Sequence, residues 1–250
     1  MESDILNELF DLMELRAEGE SAVKDLIDYI KNHKHYEVFL EAMADVRRDL
    51  FVDDEIHGIS HNERVALLAC VIGMREGLSE SELRLLLEAA KYHDIGRKDK
   101  VKNHSKISAE KIEELRYEVF SGFTDEEVRV IQALSEAHGV EDELNDSVIS
   151  TYNVPNVESC RKLLNILKDA DALDRVRLPR FGFLDESRLR VPESRGLVDA
   201  ARNLLEEYNV ARTTAKYDRG AVEYEFDSSI FDIDSYNVIE DDEFYYVFRT

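Results

Sequence analysis

Histidines and aspartates are the residues of this sequence that can do chemistry. Of its seven histidines, His57, His61, His93, His104 and His138 fall in the middle of the chain, and Asp94 directly follows His93. Imidazole nitrogen and carboxylate oxygen together suit a borderline or hard divalent cation: Zn, Mn, Fe, Co, Ni or Mg. The spacing fits neither a zinc finger nor an HExxH protease, and neither Cys70 nor Cys160 has a CxxC partner. Helical periodicity says where these groups point. His61 continues the apolar stripe Val65, Leu68, Ile72; Leu86 and Ala90 lead into His93-Asp94; Ile131 and Leu134 lead to His138; Leu164 and Leu167 lead to Asp171. One inward histidine alone reads as a core residue bonded to a backbone carbonyl. Four helices each aiming an ionisable group inward is different, because burying such groups costs several kcal/mol each unless they share a cation or one another.

The elements that must hold these groups are helices. Ten glycines and three prolines in 250 residues leave long uninterrupted stretches. Helical spacing runs through Ile5, Leu9, Leu12, Leu15, then Val23, Leu26, Ile27, Ile30, and continues over Tyr36–Leu50. His33 and His35, between these stretches, read as solvated turn residues. Ser60 with Glu63, Ser79 with Glu82 and Thr124 with Glu127 have the spacing of capping boxes ahead of apolar runs. A long helix is predicted over Val157–Leu178, before Pro179, and another over Ser194–Tyr208. The last thirty residues change character: Val222–Phe226, Ile230–Ile233 and Phe244–Phe248 are short β-branched and aromatic runs. The expected fold is mostly α, a helical bundle with a small C-terminal β-hairpin or three-stranded appendage. Its expected parts are an N-terminal helical segment (1–56), a metal-binding helical domain (57–217) and the β appendage (218–250).

Composition narrows the function classes. The formal charge is −23 and the pI about 4.7, a field that repels polyanions and argues against duplex nucleic acid or an anionic membrane as partner. The densest apolar stretch, Val65–Met74, is about half a bilayer crossing. The acidic opening Met1-Glu-Ser-Asp has no charged-then-apolar leader, and two cysteines among apolar neighbours read as reduced thiols, so a cytoplasmic location is expected. Two stretches run against the acidic background. Residues 161–190 carry eight lysines and arginines against five carboxylates, and Arg97–Lys106 carries five against Asp99. Both sit beside the candidate ligands and suit a small phosphorylated molecule better than a polymer.

The ordered set His61, His93-Asp94, Asp171 resembles the H…HD…D signature of the HD-domain metal-dependent phosphohydrolase superfamily. The flanks are similar too: HGISHNERV (57–65), AAKYHDIGR (89–97), NHSKISAEKI (103–112) and LKDADALDRVR (167–177). The resemblance covers roughly residues 57–178. It implies an HD-type bundle in which His61, His93, Asp94 and Asp171 hold a principal metal. It further implies that His104 and His138 hold a second ion, with Asp94 bridging. Binuclear relatives often carry two adjacent histidines where this chain has His138-Gly139. The Gly-Tyr-Pro element of the cyclic-dinucleotide branch is absent, which argues against that substrate. The implied activity is hydrolysis of a phosphate mono- or diester, of a nucleotide or other small phosphorylated molecule, with Asp94 and Arg97 as catalytic groups. His57, Arg64, Lys98 and Arg175 are the expected substrate contacts. Two other functions stay open. The six residues His61, His93, Asp94, His104, His138 and Asp171 also match relatives that hold two irons and activate oxygen, and a nucleotide-binding module without turnover would keep the same set. The terminal segments are candidates for covering the core, gating the pocket or forming a homo-oligomer surface.

Overall fold

The structure, a computed structural model, describes residues 22–44, 46–51, 58–97, 103–177, 184–205, 237–241 and 244–248. The core is helical. Helix α1 (Ala22–Lys31) and helix α2 (Tyr36–Ala44) precede α3 (Ile59–Arg75), α4 (Glu80–Tyr92), α5 (His104–Glu114), α6 (Asp125–Ala137), α7 (Asn145–Thr151) and α8 (Val157–Asp174). A one-turn helix α9 (Pro192–Arg195) and a helix α10 over 198–205 follow. Two strands, Asn237–Asp241 and Phe244–Phe248, pair antiparallel. The runs 222–226 and 230–233 lie outside the described residues, as does the Ile5–Leu15 pattern. Among the described residues no helix is long and apolar enough to cross a membrane.

Helix α3 is the axis of the bundle. Every residue from His61 to Met74 is buried, so its ten-residue apolar run is buried on all sides, as a helix apolar all round must be. It packs on α4 and α8, α4 packs on α6, and α5 pairs with α6. Both α4 and α6 begin in the capping boxes expected from sequence: Ser79 and Thr124 accept from the amides of Glu82 and Glu127, whose carboxylates reach back to the cap amides. Two short helices tie in from the N-terminal side. Val23, Leu26, Ile27 and Ile30 of α1 are buried, and α2 packs on α4, where buried Lys91 donates to the Ala42 carbonyl at 2.6 Å and to Glu88 at 2.7 Å.

Four element expectations need correcting. The third capping box does not start α3: the cap is Gly58, without a side-chain bond, and Ser60 lies inside the first turn while Glu63 is buried. The helix expected over Tyr36–Leu50 stops at Ala44, because the Arg47 amide turns to the Tyr92 hydroxyl (3.2 Å) instead of a carbonyl one turn back; a 3-10 turn, Arg48–Leu50, follows. The long helix ends at Asp174 and tightens into a 3-10 turn, Arg175–Arg177, two residues before Pro179, whose ring disfavours helical backbone in the residue ahead of it. The predicted Ser194–Tyr208 helix is split by a turn at Gly196 into α9 and α10.

Candidate metal centre

The end regions of five helices and one inter-helix turn bring the donors together. His93 and His138 are the C-cap residues of α4 and α6. The last carbonyls of a helix have no amide partner within it, and each imidazole uses one. His93 donates from Nδ1 to the Ala90 carbonyl at 2.8 Å, and His138 from Nδ1 to the Ser135 carbonyl at 2.6 Å. Spending Nδ1–H on the backbone leaves Nε2 with its lone pair directed at the cluster. His61 comes from the first turn of α3, His104 opens α5, and Asp171 faces them from the C-terminal part of α8.

Asp94 stands at the centre. Its Oδ1 lies 3.4 Å from His104 Nε2 and 3.5 Å from His138 Nε2, and its Oδ2 lies 3.8 Å from His61 Nε2. Asp171 Oδ1 is 3.4 Å from His61 Nε2 and 3.9 Å from His93 Nε2. The rings of His93 and His138 meet edge to face at 4.7 Å. Three overlapping groups have ligand atoms all within 4.8 Å of one another: His61, His93, Asp94; His93, His138, Asp171; and Asp94, His104, His138. All six sequence-predicted donors therefore converge.

The donor atoms fit a divalent cation. His93 Nε2 and Asp94 Oδ1 are buried and make no hydrogen bond, and buried polar atoms are almost always satisfied. An ion at the shared centre would satisfy them without a proton. Burial pushes the His93 imidazole down to about 4, keeping it neutral and ligating at ordinary pH. Burial would raise the Asp94 and Asp171 carboxyls, but the imidazoles crowded around them hold both below their usual value. Burial likewise opposes a charge on His138, and Asp94 outweighs it, so that imidazole stands above its ordinary value.

The site has a floor and a mouth. Asp94 is 3% exposed, whereas the side chains of His104 and Asp171 are 21% and 29% exposed. Arg97 stands at this mouth, 33% exposed, with Nη1 3.6 Å from Asp94 Oδ2 and 3.5 Å from His104 Nε2. Close helix approach makes the geometry. A Cβ on Gly96 would lie 2.3 Å from the Ser108 amide nitrogen, and the Gly96 amide instead donates to Ser108 Oγ at 2.9 Å. A Cβ on Gly139 would lie 2.6 Å from Ser105 Oγ and 3.6 Å from His104 Nε2. A second histidine beside His138 therefore has no room against α5 as packed here.

The four residues expected to contact substrate lie in different settings. Arg64 does not face the mouth. It is buried and fixed to Asp174, with Nε at 2.6 Å and Nη2 at 3.0 Å. Arg175 is exposed at the end of α8, while Arg177 reaches Asp174 at 3.2 Å. His57 and Lys98 lie outside the described residues. Among the described residues of the basic stretch 161–190, several cations meet carboxylates of other elements. Lys168 and Arg190 meet Asp142, Arg190 also meets Asp169, Arg161 meets Asp146, and Arg188 meets Glu141. The residue missed in sequence is Asp174, which accepts from His61 Nδ1 at 2.7 Å. A signal for it existed: Arg64 follows His61, and Asp174 follows Asp171, by the same helical step of three.

One solved structure is similar, a predicted HD superfamily hydrolase from an uncultured Thermotogales bacterium, 21% identical with a TM-score of 0.41; the alignment covers 77% of this chain and 98% of that one. No curated protein matches. Residues 58–176, the span that contains all six donors, match the family model of the HD domain. Over residues 58–176 the polypeptide is thus similar to the HD domain family.

Proposed function

We propose that the protein is a metal-dependent phosphohydrolase that cleaves a phosphate mono- or diester of a nucleotide or another small phosphorylated molecule. The observation that supports this most is the meeting of four imidazoles and two carboxylates, within the span similar to the HD domain, beside one partly exposed arginine. When bound, a divalent cation supplies Lewis acidity: it lowers the pKa of a coordinated water from 15.7 toward about 7 and offsets charge on the phosphate. His61, His93, Asp94 and Asp171 are the proposed holders of a principal ion, with His104, His138 and Asp94 available to a second.

The chain's own residues do the rest. The backbone bonds of His93 and His138 fix their rings before any ligand arrives, so no reorganisation is needed in the reaction. Arg97 gives the phosphate a fork of N–H donors at the mouth, in a protein whose overall charge would otherwise repel it. In the reaction the P–O ester bond breaks, water oxygen bonds to phosphorus, and the leaving oxygen takes up a proton. The buried floor keeps bulk water from one side of the phosphorus, leaving the exposed side of His104 and Asp171 for entry.

The test is a panel of phosphomonoesters and phosphodiesters assayed with Mn, Mg, Co, Ni, Zn and Fe, with oxygen uptake followed in parallel. Metal-dependent phosphate or alcohol release, lost in the double variant H93A/D94A, supports the reading. Oxygen consumption without hydrolysis would favour the di-iron alternative, for which the same six donors are in place. Ligand binding with no turnover under any metal would favour a regulatory module.

A further inference from the structure

The three buried imidazoles of the centre are not oriented in the same way. His93 and His138 give Nδ1–H to neutral backbone carbonyls, whereas His61 gives it to the carboxylate of Asp174 at 2.7 Å. That carboxylate is itself held. Arg64 donates from Nε to its Oδ1 at 2.6 Å and from Nη2 to its Oδ2 at 3.0 Å, and Arg177 Nη1 approaches Oδ2 at 3.2 Å. His61 and Arg64 lie one turn apart on α3, so a single carboxylate on α8 takes both side chains and locks the helices in register. Asp174 and Arg64 are both about 1% exposed.

We propose that Asp174 is a positioning residue for the metal centre: gripped by Arg64 and Arg177, it holds His61 with Nδ1 protonated and the Nε2 lone pair turned toward Asp94 and Asp171. This rests on the metal-dependent reading above. A carboxylate is a stronger acceptor than a carbonyl, so it both fixes the ring and makes Nε2 a better donor to an ion. The arginines explain why an ionised carboxylate is stable there. Two buried cations compensate its charge, and without them it would be driven to the neutral acid.

The test separates positioning from packing. Arg64→Met leaves the His61–Asp174 bond and the Arg177 contact in place, and the double variant R64M/D174L replaces the Arg64–Asp174 pair with apolar side chains while Arg177 keeps the carbonyl of residue 174. Metal affinity is read by Mn titration of the full chain, and the His61 tautomer by nitrogen-15 NMR of metal-free protein at pH 8. The expected result for R64M is a smaller loss of Mn affinity than for the double variant, because Arg177 still compensates Asp174. For R64M/D174L, affinity should fall about 10–100-fold, and the Nδ1–H form of His61 should give way to Nε2–H. Should the double variant not fold, the isosteric Asp174→Asn carries the same comparison, with weaker Mn binding at retained helical circular dichroism. A folded double variant with parental Mn affinity and an unchanged His61 tautomer would overturn the proposal. Failure of the metal reading looks different: the parent itself would bind no Mn, while the tautomer measurement still decides the role of Asp174.

Discussion

At the scale of single residues the centre combines charge groups that stabilise one another only as a set, and this makes their removal informative. Arg97 is the one cation described at the mouth. Arg97→Ala should lower kcat/KM by 10–100-fold with metal affinity unchanged, and Arg97→Lys should recover part of it, since lysine restores the charge but not the fork. Steady-state kinetics beside Mn titration checks this. Protonation gives a second prediction. In the metal-free protein His93 falls from the ordinary 6.5 to about 4, because burial disfavours its charged form. Between those values the unfolded chain binds the extra proton and the folded chain does not, so stability rises with pH through this window and is lost as pH falls. His104, also lowered, acts in the same sense. His138, raised, loses its contribution only above the window, and the lowered carboxylates act below it. Urea unfolding in chelator should therefore show up to about 3 kcal/mol less stability at pH 4 than at pH 6.5.

His61, His93, His138 and Asp171 were legible in the sequence because each sits on a helical stripe whose apolar members fix its direction, with Asp94 following His93, whereas His104 came from the family resemblance alone. Arg64 was misread for the same reason that Asp174 was missed. A charge on a buried face implies a partner, and the partner lay on another helix, at a distance periodicity does not report. In the basic run 161–190, likewise, a local excess of cations says nothing about the carboxylates folded onto it from residues 141–146.

At the scale of elements, helix starts were read well where the cap is local and poorly where tertiary contacts choose the boundary. Ser79 and Thr124 need only their own third neighbours. The start of α3 at Gly58 and the end of α2 at Ala44 depend on contacts that no short window contains. The turn after α4 approaches α5 closely across Gly96. Gly96→Ala puts a methyl group onto the Ser108 amide and the His104 carbonyl, backbone atoms that cannot rotate away. Displacing α5 should cost about 3 kcal/mol and carry His104 off the centre. Thermal unfolding checks the first effect. Metal stoichiometry checks the second, with any second ion lost before the principal one.

At the scale of the whole molecule the arrangement is an acidic chain built around an interior cluster of donors that fits a divalent ion. The field set by a net charge of −23 favours cations and repels phosphates, so under the proposed function Arg97 and a bound ion together would have to overcome the general repulsion locally. The bundle serves this by convergence: α3, α4, α5, α6 and α8 each deliver a donor or support one, and α2 is fastened to α4 through Lys91. The central claim is that these helices close on a divalent ion. An anomalous-difference map from crystals of the full chain grown with Mn tests it most directly. The account predicts a peak at about 2.0–2.3 Å from Nε2 of His61 and His93 and from carboxylate oxygens of Asp94 and Asp171. A fully loaded crystal with no peak among these side chains, or with Mn only at surface carboxylates, would contradict it.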